Sequence, residues 1–180
     1  VDEENIIIGS GAGGSTVALE LLKKGKKSVI LEEGPDVASY NVSNIGRSIV
    51  NLYKNNGATP IISTNGGPLI GYGQGSCVGG STYVNGGYFS NTPEWVFHKW
   101  LDENRTILNH KDFIKLLDEI KLEMKISTEN LTSKDGDSKF LFDRAKEMNW
   151  SIEKCERFST GLEGKEKQNM NTTYHKKLLE

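Results

Sequence analysis

The chain has few of the residues that build metal centres and disulfide frameworks. It contains only two cysteines and three histidines among 180 residues. Cys77 and Cys155 lie far apart and show no CxxC spacing, so the sequence predicts neither a zinc site nor a disulfide framework. Long apolar runs are missing too, because no stretch reaches the roughly 20 residues that cross a bilayer. The sequence therefore predicts no metal site and no membrane span.

An excess of charge of one sign is also absent. The chain has 22 basic and 24 acidic residues, with a net charge of −2, and no basic stripe stands out. This balance argues against nucleic acid and against an anionic membrane surface as partners. With 36% hydrophobic and 26% charged residues, the chain has the composition of a globular protein. Its length predicts one domain and part of another.

Glycine, by contrast, is abundant, with 20 residues, and the first glycine-rich stretch has a recognisable order. Residues 5–34 read NIIIGSGAGGSTVALELLKKGKKSVILEEG, which predicts a strand, a glycine turn, a helix and a second strand. In such a turn Gly9 permits the sharp exit from the strand, and Gly11 lets a pyrophosphate approach the backbone. Gly14 lets the helix pack closely on the strand. This order is typical of the first half of a dinucleotide-binding domain.

The helix after this turn is predicted to begin near Ser15. Its unpaired N–H groups and the positive end of its dipole favour an anion at the turn. An apolar face toward the sheet is predicted for four residues of this helix, which are Val17, Leu19, Leu21 and Leu22.

An acidic residue follows the second predicted strand, and its spacing from the glycine turn is informative. Glu32 lies eighteen positions after Gly14, close to the roughly 20-residue spacing at which an acid meets a ribose 2′-hydroxyl. A carboxylate there favours a free 2′-hydroxyl over a 2′-phosphate, so FAD or NAD is expected and NADP is not. Glu33 is an alternative ribose ligand, and the register alone does not choose between the two.

The second glycine-rich stretch covers residues 73–93 and reads GQGSCVGGSTYVNGGYFSNTP. Its central VGGSTYVNGG mixes apolar anchors with small residues on which a flat ligand could lie. Together with the opening motif, it resembles the glucose-methanol-choline (GMC) oxidoreductase family, whose signature has the form G-R-x-L-G-G-S-S/T-x-x-N. The resemblance implies FAD instead of NAD. It also implies an α/β fold, a Rossmann-like FAD-binding domain that is incomplete in this chain and is followed by the start of a helical or substrate region.

The same resemblance assigns cofactor contacts. It implies that Ala12 and Gly13 contact the diphosphate and that Glu32 contacts the adenosine ribose. Helix capping is the alternative role for Ser81 and Thr82. With Gly9, Gly11 and Gly14 of the turn, the remaining candidates along the diphosphate and the isoalloxazine ring are Gly79, Gly80, Ser81, Asn85, Gly86 and Tyr88.

Two departures from the family pattern qualify these contacts. Ser76 stands where the family usually has a basic or amide residue, so a charged contact to the phosphates is not expected from that position. Some relatives attach the flavin to a histidine near this loop, and none lies between positions 71 and 93. The expected cofactor is therefore noncovalent FAD.

The resemblance also implies an organisation and an activity. Residues 1–100 are expected to form the N-terminal part of the FAD-binding domain, residues 101–160 a helical segment, and residues 161–180 the start of a return to the FAD domain. The family oxidises the CH–OH group of an alcohol, with hydride passing to the flavin and a histidine taking the proton. That histidine comes from the C-terminal part of much longer chains. His98, His110 and His175 do not suit the role, so no catalytic residue is predicted here.

Two other functions are consistent with the residues alone. One is an NAD-dependent dehydrogenase of a different Rossmann family, and the other is a nucleotide-binding module without catalysis. The electron acceptor stays open. Beyond position 93, helical spacing predicts core faces that include Trp95, Val96, Trp100, Phe113 and Met124.

Overall fold

The computed structural model describes residues 5–37, 44–103, 107–126, 136–153, 155–160 and 166–167. The chain divides into two compact units, one comprising Val1–Gly86 and Asn169–Glu180 and the other Gly87–Gln168. The predicted boundaries near residues 100 and 160 stay predictions. His175 and all but two residues of the predicted return segment lie outside the described part of the chain.

The first unit opens with the predicted strand, helix and strand. Strand β1 (Ile6–Ile8) pairs in parallel with β2 (Val29–Leu31), and helix α1 (Ala12–Lys23) connects them. The helix begins at Ala12 and not near Ser15, because Gly11 has an extended backbone and serves as the N-cap. The glycine turn is therefore shorter than predicted, and Gly14 lies within the first turn of the helix.

Helix α1 packs on β1 through Gly14, which has no side chain. A Cβ on Gly14 would lie 2.0 Å from the backbone oxygen of Gly9, so only glycine allows this approach. The buried helix face is formed by Ser15, Ala18 and Leu19. Val17 was predicted on that face, but 52% of its surface is exposed, and Leu22 is also exposed. The buried face is therefore narrower than predicted.

The rest of the first unit builds a small core beside the glycine loops. After helix α2 (Ile45–Leu52), strands β3 (Thr59–Ile61) and β4 (Ile70–Tyr72) form an antiparallel pair, and a single turn, α3 (Ser81–Val84), follows. Val37, Leu52 and Cys77 form the buried cluster, with Tyr53, Tyr83 and Val84 packed against it. Because Cys77, Tyr83 and Val84 belong to the second glycine loop, this cluster packs the loop against the end of α2.

The second unit is mainly helical. It contains α4 (Glu94–Asp102), α5 (His110–Glu123) and α6 (Gly136–Glu147), followed by the short antiparallel strands β5 (Ser159–Thr160) and β6 (Glu166–Lys167). Among the described residues, no helix has the length and apolar character needed to cross a membrane.

The core of this unit centres on Phe97. Its side chain is buried and its ring centroid lies 4.9 Å from that of Phe113. Met124 is buried as predicted, whereas Trp95, predicted in the core, is 69% exposed. The inward face of α4 runs through Phe97, and a residue two positions away on a helix points to a different side.

Candidate cofactor site

An open pocket of about 450 Å³ lies in the first unit, where β1 and β2 end next to the second glycine loop. Its volume falls within the range of roughly 300–1,000 Å³ that is common for small-molecule sites. The pocket is lined by Ile8, Gly9, Gly11, Ala12, Leu31, Glu32, Glu33, Lys54, Gln74, Gly75, Gly80, Ser81 and Thr82.

The N-terminus of α1 opens into this pocket. Its N-cap, Gly11, has no side chain to cap the first N–H groups, and the first turn carries no acidic residue. These N–H groups have no partner within the helix, and the helix dipole places partial positive charge there. A Cβ on Gly11 would meet no atom within 4 Å, so the space in front of this residue is empty. The arrangement suits an anion that approaches the backbone closely.

The Glu32 carboxylate is held in place by the first glycine turn. Its Oε2 accepts hydrogen bonds from the Ser10 hydroxyl at 2.6 Å and from the Ser10 N–H at 2.8 Å, and its Oε1 accepts one from the Gly34 N–H at 3.1 Å. Partial burial alone would raise the pKa of this carboxyl, but these hydrogen bonds outweigh it and lower the pKa below the ordinary value of 4.5. Glu32 therefore presents a fixed negative charge to the pocket.

The lowered pKa makes folding stability depend on pH in a defined direction. The ionised carboxylate stabilises the fold above the ordinary pKa of 4.5, and this contribution is lost as the pH falls through the lower folded-state pKa. Glu32→Gln should therefore lower the melting temperature at pH 7, with the difference from the wild type shrinking below about pH 4.5. Thermal unfolding of both proteins between pH 3 and 7 measures this. A difference that stays constant over the range would contradict the assigned hydrogen bonding.

Ser10 joins the two glycine loops, and sequence reasoning missed it. Its side chain is buried, and its hydroxyl accepts a hydrogen bond from the Gly79 N–H at 3.0 Å while donating to Glu32. Its carbonyl accepts from the Ser15 hydroxyl at 2.7 Å. One signal was available in the sequence, because Ser10 is a small hydroxyl residue between the first two glycines of the turn, directly after the first predicted strand.

The second glycine loop is closed by its own hydroxyl groups. The Ser81 hydroxyl accepts a hydrogen bond from the Gly75 N–H at 3.0 Å, and the Thr82 hydroxyl donates to the Gly79 carbonyl at 2.7 Å. The N-cap of α3 is Gly80, with no side-chain cap, so Ser81 does not act as a conventional helix cap. Its hydroxyl instead shapes the loop at the wall of the pocket.

Cys77 is a buried residue of this loop, and its thiol belongs to the core cluster. Its side chain is fully buried. Burial, together with the negative charge of Glu32, raises the pKa of the Cys77 thiol to about 11. The residue is therefore a thiol at neutral pH and contributes packing to the core.

The two adjacent acids at the end of β2 have different partners. Whereas Glu32 binds the glycine turn, the Glu33 carboxylate forms an ion pair with Lys54, with 3.1 Å between Oε1 and Nζ. The Ser76 hydroxyl donates to the same oxygen at 3.4 Å. Both members of the pair line the pocket, and the sequence had shown no reason to select Lys54.

The predicted site residues are only partly brought together by this pocket. Gly13 and Gly14 continue α1 behind Ala12, and Gly79 is buried against Ser10. Tyr88 belongs to the second unit, where the Arg157 guanidinium lies 4.6 Å from its ring centroid. Asn85 and Gly86 are exposed and do not line the pocket. The predicted residues that do line it are Gly9, Gly11, Ala12, Glu32, Gly80 and Ser81.

Comparison with known proteins decides the family. A sequence profile of the GMC oxidoreductases matches residues 3–177, nearly the whole chain. The chain belongs to the GMC oxidoreductase family. The expected α/β fold of the N-terminal FAD-binding type is thereby confirmed, and so is the assignment to the oxidoreductases. The same match argues against membership in another Rossmann family.

Individual relatives are distant and much longer. An uncharacterized GMC-type oxidoreductase of Mycobacterium tuberculosis is 29% identical over 162 residues, covering 88% of this chain and 25% of the relative. A GMC-type oxidoreductase of Sinorhizobium fredii is 34% identical over 101 residues, covering 56% and 19%. The long-chain-alcohol oxidase FAO4B of Arabidopsis thaliana is 27% identical over 124 residues, covering 68% and 16%. The chain thus spans a quarter or less of the length of these relatives.

Proposed function

We propose that this GMC oxidoreductase chain binds the adenosine diphosphate part of FAD and that the protein oxidises the CH–OH group of an alcohol. One observation carries the proposal. A single pocket joins the uncapped N-terminus of α1, the ionised Glu32 and the second glycine loop. The N-terminus of the helix suits a diphosphate, and the fixed carboxylate suits a ribose hydroxyl. The two together match a diphosphate linked to a ribose. When bound, the flavin would accept the hydride from the alcohol carbon at N5.

The residues present fit this group. The empty space in front of Gly11 leaves the backbone open to a diphosphate, for which the N–H groups of the first helical turn would be donors. Glu32 would accept a hydrogen bond from a ribose hydroxyl, since it is ionised and lines the same pocket. Gly80 and Ser81 would bound the diphosphate from the opposite loop. Contacts from Gly79, Asn85 and Gly86 to the diphosphate or the flavin ring are part of the proposal.

The first test is cofactor binding. We expect the protein to purify with a yellow chromophore that denaturation releases as free FAD, because no histidine lies near the second loop to form a covalent bond. After FAD has been removed, the apoprotein is titrated with FAD, and quenching of the flavin fluorescence gives the affinity. A parallel titration with NAD serves as the control with a second dinucleotide. Binding of NAD in preference to FAD, or binding of neither, would overturn the proposal.

The second test is chemical. The two described histidines belong to the second unit. His110 packs on Phe97, and the ring of His98 stacks on the ring of His110, with 5.9 Å between their centroids. Neither lines the pocket. A general base must lie within hydrogen-bond reach of the proton it removes. We therefore expect the 180-residue chain loaded with FAD to show no anaerobic bleaching by primary or secondary alcohols.

Long-chain alcohols belong in that panel because long-chain-alcohol oxidases are among the relatives. Bleaching that disappears in His98→Ala or His110→Ala would show that one of these residues is the base. If the protein binds FAD without catalysis, the bound flavin stays oxidised with every alcohol. This would hold even for a protein as long as the relatives.

A further inference from the structure

The Ser10 side chain connects three segments of the first unit that are far apart in sequence. It lies in the turn after β1, and its hydroxyl contacts the Glu32 carboxylate after β2 at 2.6 Å and the Gly79 N–H of the second glycine loop at 3.0 Å. Only 2% of Ser10 is exposed. Bulk water therefore does not replace either partner of the hydroxyl when one of them is lost.

The direction of both hydrogen bonds is fixed by the chemistry of the groups. A backbone N–H can only donate, so the Ser10 oxygen accepts from Gly79. An ionised carboxylate can only accept, so the single hydroxyl proton points to Glu32. The Gly79 N–H polarises the hydroxyl and thereby strengthens its bond to the carboxylate. Gly79 is held in turn by Thr82, whose hydroxyl donates to the Gly79 carbonyl at 2.7 Å.

We infer that Ser10 is a positioning residue through which the second glycine loop controls how the Glu32 carboxylate binds the cofactor ribose. The inference rests on the proposed function, because it takes Glu32 as the ribose ligand. Ser10 does not line the pocket and acts only through Glu32. Recognition of the ribose after β2 therefore depends on the packing of a loop that is remote in sequence.

Loss of the Ser10 hydroxyl makes ribose binding depend on pH. Partial burial raises the pKa of the Glu32 carboxyl, and the hydrogen bond from the Ser10 hydroxyl is the largest effect that lowers it. Without this bond the pKa of Glu32 rises, so the carboxylate is protonated at a higher pH than in the wild type. The other ionisable groups near Glu32 in the described part of the chain are Glu33, Lys54 and Cys77, and the first turn of α1 carries no charged side chain. They are the same in the wild type and in Ser10→Ala, so the difference between the two proteins isolates the effect of Ser10.

Two variants and a control define the test. Ser10→Ala should reduce the contribution of the ribose 2′-hydroxyl to affinity by about three- to tenfold, because a hydrogen bond to a charged group is lost. Thr82→Val should reduce it by roughly two- to threefold, because the loop loosens around Gly79 while Ser10 stays in place. Ser15→Ala is the matched control. Ser15 is also buried, and its hydroxyl donates to the Ser10 carbonyl and takes no part in the hydrogen bonds that lower the pKa of Glu32.

The experiment is calorimetric titration of the chain, freed of FAD, with adenosine 5′-diphosphate and its 2′-deoxy form. The measured quantity is the ratio of the two dissociation constants between pH 5 and pH 7, in which the titration of the phosphates cancels. The ratio should stay constant over this range in the wild type and in Ser15→Ala. In Ser10→Ala it should be smaller and should fall further as the pH decreases. In a Glu32→Gln background neither Ser10→Ala nor Thr82→Val should change the ratio, whereas a merely structural effect would persist.

The outcomes separate the two proposals. The inference is supported if the ratio falls in Ser10→Ala and Thr82→Val but not in Ser15→Ala, and if both effects vanish in the Glu32→Gln background. It is wrong, and the proposed cofactor site stands, if adenosine 5′-diphosphate binds but the wild type does not distinguish the two nucleotides, or if Ser10→Ala keeps the wild-type ratio at every pH. If Ser10→Ala does not fold, Thr82→Val serves in its place, and an unchanged ratio there overturns the inference. If the wild type binds neither adenosine 5′-diphosphate nor FAD, the proposed function itself fails.

Discussion

Gly11→Val is expected to abolish FAD binding while leaving the fold intact. Gly11 has an ordinary extended backbone that valine can adopt, and a Cβ there meets no atom within 4 Å, so the substitution introduces no clash in the free protein. The added side chain would instead occupy the space in front of the helix N-terminus, where a diphosphate must approach. Affinity should fall by about 100-fold or more, equivalent to roughly 3 kcal/mol, the upper end for overpacking.

Gly71→Val is the matched control for this substitution. Gly71 lies in β4, where an added Cβ also meets no atom within 4 Å, and it does not line the pocket. It should bind FAD as the wild type does. Circular dichroism establishes that both variants are folded, and fluorescence titration gives their affinities. If Gly11→Val binds FAD with unchanged affinity, the diphosphate does not lie at this helix terminus.

Gly34→Ala is expected to destabilise the protein strongly. A Cβ at this position would lie 2.1 Å from the carbonyl carbon and oxygen of Ser76 and 2.3 Å from the Cys77 nitrogen. All three are backbone atoms, so relief requires the end of β2 and the second glycine loop to separate. Such overpacking should cost about 3 kcal/mol or more in free energy of unfolding. The same separation would disrupt the hydrogen bond from the Gly79 N–H to the Ser10 hydroxyl, which holds the Glu32 carboxylate, so FAD affinity should also fall.

Gly46→Ala provides the same chemical change without the clash. Gly46 lies in α2, and the nearest atom to an added Cβ is the Asn44 side-chain oxygen at 3.4 Å. Because alanine is the better helix former, this variant should be neutral or more stable by up to about 1 kcal/mol. Urea denaturation of both variants measures the contrast. A Gly34→Ala protein as stable as the wild type would show that β2 and the second loop do not approach each other as described.

The sequence by itself determined the local order of the site. A strand, a glycine turn, a helix and a second strand ending in Glu32 could be predicted because each element depends on residues close in the chain. Apolar runs predict strands, glycines predict the turn, and the spacing to the acid follows from the length of the helix. The glycine signature identified the family for the same reason, since it is one continuous segment. Helix faces were less predictable, as Val17 and Trp95 show.

Only the tertiary structure decided which side chains meet. Glu32 and Glu33 are neighbours of identical chemistry, yet one binds Ser10 in the glycine turn and the other pairs with Lys54. Ser10 contacts Gly79 of the second loop, a residue remote in sequence. No local preference encodes such contacts, because they depend on how β2, the turn after α2 and the second glycine loop pack around Leu52 and Cys77. Packing of distant segments therefore determines the roles of Ser10, Glu33 and Lys54.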